Sequence, residues 1–447
     1  MNRDSIDLGK TKVSQLFRIY LIPTLIGMLS ICVVTATDGI FIGRGIGSEG
    51  VAAINIAWVP IALWMGFGLM MGVGCSVISS IQLSRQLEKT ARINVSQAFL
   101  FASVVVGIFI AVALAAPVRL ARFLGASDNL LPLAVDYICW LTPSLIFNMW
   151  MTIGLFIIRL DGAPKLAMWC NIIPGVLNAV LDYIMIFPLG MGMKGAAIAT
   201  ATSTCVGGTI VMIYLLFFAK KLRLIRLKCS LTSIRLMCRN LGYQMRVGLS
   251  AFLGEATLAI LMFTGNQVFM KYLGDDGVGA FGIACYYCPF IFMVGNGIAQ
   301  SAQPILSFNH GALQGKRVRD TERLAVTTAV IAGILVTSLF IFIPKQMVSL
   351  FLDPSGEAAQ IAIKGLPYFS SAVVFYIFNL TAIGYFQSVE RPVPAVVFAL
   401  LRGLVFLVPS FILLPKAFGI NGIWCALGLS ESLTAICIIA FYIYSHK

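Results

Sequence analysis

Twelve runs of about 20 or more mostly apolar residues fill this chain, each long enough to cross the ~30 Å hydrocarbon of a bilayer as a helix. No water is present there to satisfy the backbone, so runs this long and this continuously apolar form helices. They fall near 14–43, 51–81, 94–117, 133–158, 165–188 and 195–219, then near 243–271, 278–305, 321–344, 361–388, 394–415 and 421–444. Of the 447 residues, 59% are hydrophobic and 11% charged, which excludes a soluble globular domain. Met1–Lys12 is polar and has no short apolar core ahead of a cleavage site, so it reads as a cytoplasmic tail and not a signal peptide. The 11 cysteines are scattered, mostly within spans, as small buried residues and not as a disulfide framework. Cys285-Tyr-Tyr-Cys288 has redox-motif spacing but lies inside a span and reads as packing.

Positive charge orients the spans. The N-terminal tail and the loops after spans 2, 4, 6, 8 and 10 hold most of the Lys and Arg. The linker after span 6 carries Lys220, Lys221, Arg223, Arg226, Lys228, Arg235, Arg239 and Arg246 with no acid among them. By the positive-inside rule both termini and this linker are cytoplasmic. The net charge of +14 therefore reports topology and contact with lipid headgroups, not nucleic-acid binding.

The chain also repeats itself. Gly47-Ser-Glu-Gly-Val-Ala-Ala-Ile-Asn-Ile-Ala57 resembles Gly274-Asp-Asp-Gly-Val-Gly-Ala-Phe-Gly-Ile-Ala284, an offset of 227 residues. The same offset pairs Lys89 with Lys316, Arg92 with Arg319, Pro188 with Pro415 and Gly192 with Gly419, and Ile146-Phe-Asn148 recurs as Ile377-Phe-Asn379. Six spans per half is an even number, so the halves share one orientation. The expected fold is an all-α membrane protein of twelve transmembrane helices. They form two six-helix lobes related by a pseudo-two-fold axis along the membrane normal, with a central cavity. The expected boundaries are residues 1–219 and 243–447 for the lobes and 220–242 for a basic cytoplasmic linker.

Two acids stand inside spans of the first half, Asp38 near the outer end of span 1 and Asp182 well along span 5. A carboxylate in hydrocarbon costs at least a few kcal/mol, so it is rarely there without a role. Asn178 lies four residues before Asp182, on the same helix face. Thr202 enters span 6 to about 10 Å. All four fall at similar depth in one lobe, where a carboxylate pair with Asn and Thr oxygens can hold a proton or a monovalent cation. Pro23 removes one backbone hydrogen bond from span 1 and gives it a place to bend. In the second half Glu255, Arg402 and Glu431 are buried by sequence. Arg402 and Glu431 share a depth and read as a structural ion pair, or else Glu431 faces a cavity and attracts cations. Glu255 has no evident partner and is a cavity or ion candidate.

At this point the sequence resembles a family, the multidrug and toxic compound extrusion (MATE) transporters. The carriers are Asp38-Gly-Ile-Phe-Ile-Gly43, the Gly47–Ala57 segment, Arg159-Leu-Asp-Gly-Ala-Pro164 and Ala302-Gln-Pro-Ile-Leu-Ser-Phe-Asn309-His-Gly311. Their order along a 6+6 chain covers essentially the whole length. Asp38, Asn178 and Asp182 look like the DinF-type branch, whose N-terminal lobe holds the cation-coupling site. The resemblance adds Thr202 to that site, makes Pro23 the bend of span 1, and offers Asn148 as a polar residue of span 4. An acid at Glu255 resembles the sodium-coupled branch instead.

The reading is a secondary active exporter of amphipathic, often cationic small molecules, driven by proton entry or, as the alternative, sodium. It is expected to act as a monomer in the plasma (inner) membrane, with membrane lipids as partners and no cofactor, metal or nucleic acid. One rival is a lipid-linked oligosaccharide flippase of the related superfamily. Another is an intramembrane aspartyl enzyme using Asp38 and Asp182, which the flanking sequence disfavours. Gly45-Ile-Gly-Ser-Glu-Gly50 fits GxGxxG without a βαβ unit, no Walker A motif is present, and His310 and His446 are the only histidines. An enzyme is therefore not expected.

Overall fold

The apolar spans fold as helices throughout the computed structural model, which describes residues 6–227, 230–351 and 354–445 and, within them, not the side chains of 48–49, 51–52 and 55–59. Cys229 of the linker and His446 lie outside the described residues. The first half runs α1 (Val13–Gly45), α2 (Ser48–Ser84), α3 (Glu88–Ala115), α4 (Pro117–Phe123), α5 (Leu131–Leu141), α6 (Leu145–Leu160), α7 (Pro164–Ile186) and α8 (Gly192–Ile213). The second runs α9 (Leu231–Gly311), α10 (Gly315–Phe342), α11 (Pro344–Ser349), α12 (Glu357–Phe369), α13 (Val373–Ser388), α14 (Pro392–Leu400) and α15 (Leu407–Ser445). Among the described residues, 10 helical stretches are long and apolar enough to cross a membrane. Two of them, Leu231–Gly311 and Pro392–Ser445, are broken by a glycine in the left-handed region, Gly274 at φ 64° and Gly419 at φ 60°. Counting each as two gives the twelve expected spans.

The repeat is written in the backbone as well as the residues. Positive φ occurs at Gly47 and Gly274, at Gln86 and Leu313, and at Gly192 and Gly419, each pair 227 residues apart. Only glycine takes such angles without strain, so two of the three turns use glycine at both copies. α3 and α10 have 28 residues each, and a short helix opening on proline follows both. α5 reaches α6 through a 3₁₀ turn at Thr142–Ser144, and α12 reaches α13 through one at Ser370–Ala372.

The chain divides into two compact units. One holds Ile22–Gly248 with the residues up to Thr11, and the other holds Leu249–Lys447 with Lys12–Leu21. This moves the expected lobe boundaries in two places. The first turns of α1 group with the second unit, so the division inside α1 falls beside Pro23. The expected linker, 220–242, belongs to the first unit, and from Leu231 it is already helix.

That linker is not a free tether. Asp161, which follows α6, accepts hydrogen bonds from the backbone N–H groups of Lys220 (3.0 Å), Lys221 (2.8 Å) and Leu222 (3.0 Å) and from the Tyr214 hydroxyl (2.8 Å). Arg92 Nε donates to the Lys221 carbonyl at 2.8 Å, and Ser96 Oγ accepts from the Ile225 N–H at 2.9 Å. Farther on, Asn240 donates to Gln97 at 3.2 Å and Gln244 to Asn94 at 3.3 Å. Gly74 and Gly248 complete the docking: a Cβ on either would run into a carbonyl oxygen, of Gln244 or of Met70. The near absence of side chains lets the two helix backbones touch.

Replacing Asp161 with Ala leaves three backbone donors without their acceptor, at a cost of about 1–3 kcal/mol. Trypsin cleavage of the detergent-solubilised protein at Lys220–Arg226 is expected to accelerate several-fold. Unchanged cleavage and thermal stability would show that Asp161 does not hold the segment.

Candidate functional site

α1 and α7 run side by side in one unit with their residues in register. Gly27 lies against Met168 and Asn171, Val34 against Gly175, and Gly45 against Ile186. The contact positions on α1 follow heptad-like spacing, which keeps one stripe facing its neighbour. Asp38 is on that stripe, four residues past Val34, and Asn178 and Asp182 continue the α7 stripe past Gly175. Helix register therefore brings the three together at one level.

The two carboxyl groups lie within interaction range of each other, and Asn178 reaches Asp182. These approaches fall short of hydrogen-bond geometry. Asp38 Oδ1 and both Asp182 oxygens are buried with no hydrogen-bond partner. Asp182 has no solvent exposure and Asn178 almost none, while Asp38 is half-buried. Above the acids Ile42, Ile186 and Ala196 pack as a buried cluster, with Phe41, Ile46 and Ile54 against it. Phe41, Tyr183 and Phe187 add ring contacts at 5.6 to 6.2 Å between centroids. The pair thus stands under an apolar roof, where an uncompensated charge is costly.

Thr202 does not join the cluster. It is exposed on α8, and Thr200 takes the place expected of it, its hydroxyl accepting from Asn178 Nδ2 at 3.3 Å and donating to the Ala196 carbonyl at 3.1 Å. Two residues on a helix are about 200° apart, so the two threonines face opposite ways. Tyr137, on α5, also enters the site unforeseen. It is fully buried, and its hydroxyl lies near Thr200 on the side of the acid pair. A buried tyrosine normally finds a partner for its hydroxyl, but that of Tyr137 has none among the described residues, and with Asp136 it is a polar signal in the apolar run of α5.

The remaining candidates fall elsewhere. Pro23 is buried within α1. Asn148 is half-buried in α6, where its carbonyl accepts from Thr152. Glu255 is half-buried in α9 and makes no ion pair or hydrogen bond among the described residues.

In the second unit Arg402 and Glu431 form the expected ion pair, 2.8 Å apart and both fully buried. Arg402 Nε also donates to both Glu431 oxygens, at 3.1 and 3.2 Å. Asn379 Nδ2 donates to Glu431 at 2.7 Å, and the guanidinium lies 4.2 Å from the Tyr376 ring centre. A π-helical turn at Leu401–Val405 presents Arg402, with its carbonyl accepting from Ser430 Oγ at 3.0 Å. Gly403 abuts Thr257, where a Cβ would collide. With no exposure and four donor contacts, Glu431 does not face a cavity. Truncating Arg402 or Glu431 alone is expected to cost about 3–5 kcal/mol by stranding a buried charge. The double change to Met and Gln should recover part of that loss. Thermal unfolding in detergent checks this; a double variant no more stable than the worse single one would refute the coupling.

Comparison with known proteins gives a consistent answer. The family profile described as MatE matches residues 23–184 and again 251–412. The multidrug export protein MepA of Staphylococcus aureus (strain NCTC 8325 / PS 47) is 25% identical over 436 residues, covering 96% of this chain and 93% of that protein. A solved outward-facing multidrug resistance MATE family transporter of the MOP superfamily superposes with a TM-score of 0.90 at 23% identity, over 99% of this chain and 97% of the other. A MOP superfamily transporter from Pyrococcus furiosus Vc1 (DSM3638), described as having reversed binding-pocket polarity, gives 0.89 at 21% identity, over 99% and 97%. At these identities the structural likeness speaks for the fold.

Proposed function

The chain belongs to the MatE family, whose profile it matches twice, and from that premise we propose that it is a secondary active multidrug exporter of amphipathic, often cationic small molecules. It is a transporter and not an enzyme, carried by a multi-span helical fold in the cell membrane. The relatives named for multidrug export support drug-like substrates. The observation that carries an ion-coupled mechanism is the acid pair on the α1/α7 seam, with three carboxyl oxygens buried and unpartnered.

Two carboxylates in one desolvated site cannot both stay charged cheaply, so the pair is suited to holding a proton or one monovalent cation. Asn178 and Thr200 offer polar atoms beside it and Tyr137 a hydroxyl. Proton coupling is the favoured reading, because a sodium ion needs several oxygens converging at fixed distance, whereas a pair of buried acids holds a proton by itself. Loading the pair removes charge from the seam, which lets α1 repack at Pro23 and exchanges ion for substrate. This reading follows the DinF-type branch. We infer a monomer with both termini cytoplasmic and the basic segment 220–246 against anionic lipid headgroups.

The test is efflux of a fluorescent lipophilic cation in proteoliposomes, with proton and sodium gradients imposed separately. Native protein is expected to concentrate the dye under a pH gradient. Asp38→Asn and Asp182→Asn should fall to passive leak at near-native abundance. Uphill movement driven by sodium alone, with a protonophore present, would reject proton coupling. Normal efflux by both variants would show that the acids are structural.

A further inference from the structure

The α1/α7 seam carries a second polar level that the acid pair does not account for. Thr24 and Asn171 are 2% and 5% exposed, and Thr24 Oγ1 and Asn171 Oδ1 have no hydrogen-bond partner. Both lie on the stripes that bring Asp38 to Asn178 and Asp182. On α1 the residues Thr24, Gly27, Ile31, Val34 and Asp38 recur at alternating steps of three and four; on α7 Asn171, Gly175, Asn178 and Asp182 do the same. Asn171 stands about 10 Å from Asn178 along α7. The two helices touch beside this level: a Cβ on Gly27, one turn from Thr24, would stand 3.2 Å from Asn171 Nδ2.

The chain chemistry there leaves a further group open. Pro23, the residue before Thr24, has no N–H to give to the carbonyl one turn back. Beside the bend α1 thus offers a buried hydroxyl and α7 a buried amide oxygen, both without a protein partner. Buried polar atoms left without a protein partner are the places where ordered water binds, given two to four groups to bond. Between the levels Val34 closes the seam, its Cγ2 only 2.7 Å from where a Cβ on Gly175 would lie.

We propose that Thr24 and Asn171 bind a water molecule at the Pro23 bend, forming a station through which protons pass between the acid pair and the inner side of the membrane. Thr24 Oγ1 donates to this water or accepts from it, and Asn171 Oδ1 accepts from it. A proton handed to the water from one side leaves from the other, so the station ends each transfer as neutral water. The Val34–Gly175 contact interrupts the path at rest and has to open for transfer, which ties proton movement to repacking of α1. This rests on the proton-coupled reading above.

The test compares native protein, Thr24→Val with Asn171→Leu, and Thr24→Ser in proteoliposomes holding a pH-sensitive dye, with a fluorescent lipophilic cation as substrate. Substrate-driven proton movement in the double variant should slow about ten-fold, the equivalent of one lost hydrogen bond. Its substrate affinity and abundance should stay unchanged, and Thr24→Ser, which keeps the hydroxyl, should stay near native. A high-resolution map of the native protein should show a peak within hydrogen-bond distance of both oxygens. Native rates in a folded double variant, or a map in which the two side chains bond only to protein, would overturn the station. Asp38→Asn run in parallel separates the two ideas: if it still exchanges protons for substrate, the coupled-export reading fails first.

Discussion

Everything distinctive about the first unit depends on two carboxyl groups being held together where water is scarce. Close packing of the helices against one another holds such a bundle together in lipid, and a buried unpartnered charge works against it. Asp38 and Asp182 persist there because α1 and α7 lock their positions through contacts on either side. Gly27 and Gly175 let the helices approach, and Ile42, Ile186 and Ala196 close the outer end. Small residues that admit close approach are the usual basis of helix association in lipid. The seam is therefore stiff in position and unsatisfied in charge, which suits a site that must bind and release an ion.

The second unit resolves the same physical problem differently. Its buried acid, Glu431, is neutralised by Arg402 and saturated by Asn379, with Tyr376 stacked on the guanidinium. A charge compensated this fully has little left to offer a passing cation. Fold and repeat are shared between the halves, yet Gly175 in the first half stands where the 227-residue offset places Arg402 in the second. The repeat therefore sets a common scaffold, and single residues decide which half keeps its buried acids unpaired.

Much of this was legible in the sequence for identifiable reasons. Hydropathy marks spans because lipid permits few alternatives, and the 227-residue offset reappears in the positive-φ turns because those turns set how consecutive spans fold back. The depth argument paired Arg402 with Glu431 correctly, since both ends of that pair lie well inside their spans. What failed needed angular detail. Ala199-Thr-Ala-Thr-Ser-Thr204 places three threonines within five residues, and depth alone cannot select Thr200 over Thr202. The start of α9 at Leu231 was hidden because Arg235 and Arg239 dilute its hydropathy. The docking of the linker depends on Asp161 and Arg92, both more than 50 residues away in sequence, which no local pattern reveals.

The central claim is that the acid pair gives up a proton when substrate is bound. Calorimetric titration of purified protein with a lipophilic cation, in buffers of different ionisation enthalpy, counts protons released per substrate directly. Native protein should release close to one proton, and Asp38→Asn should bind the cation and release essentially none. Equal release from both proteins would contradict the claim, placing proton exchange at another group.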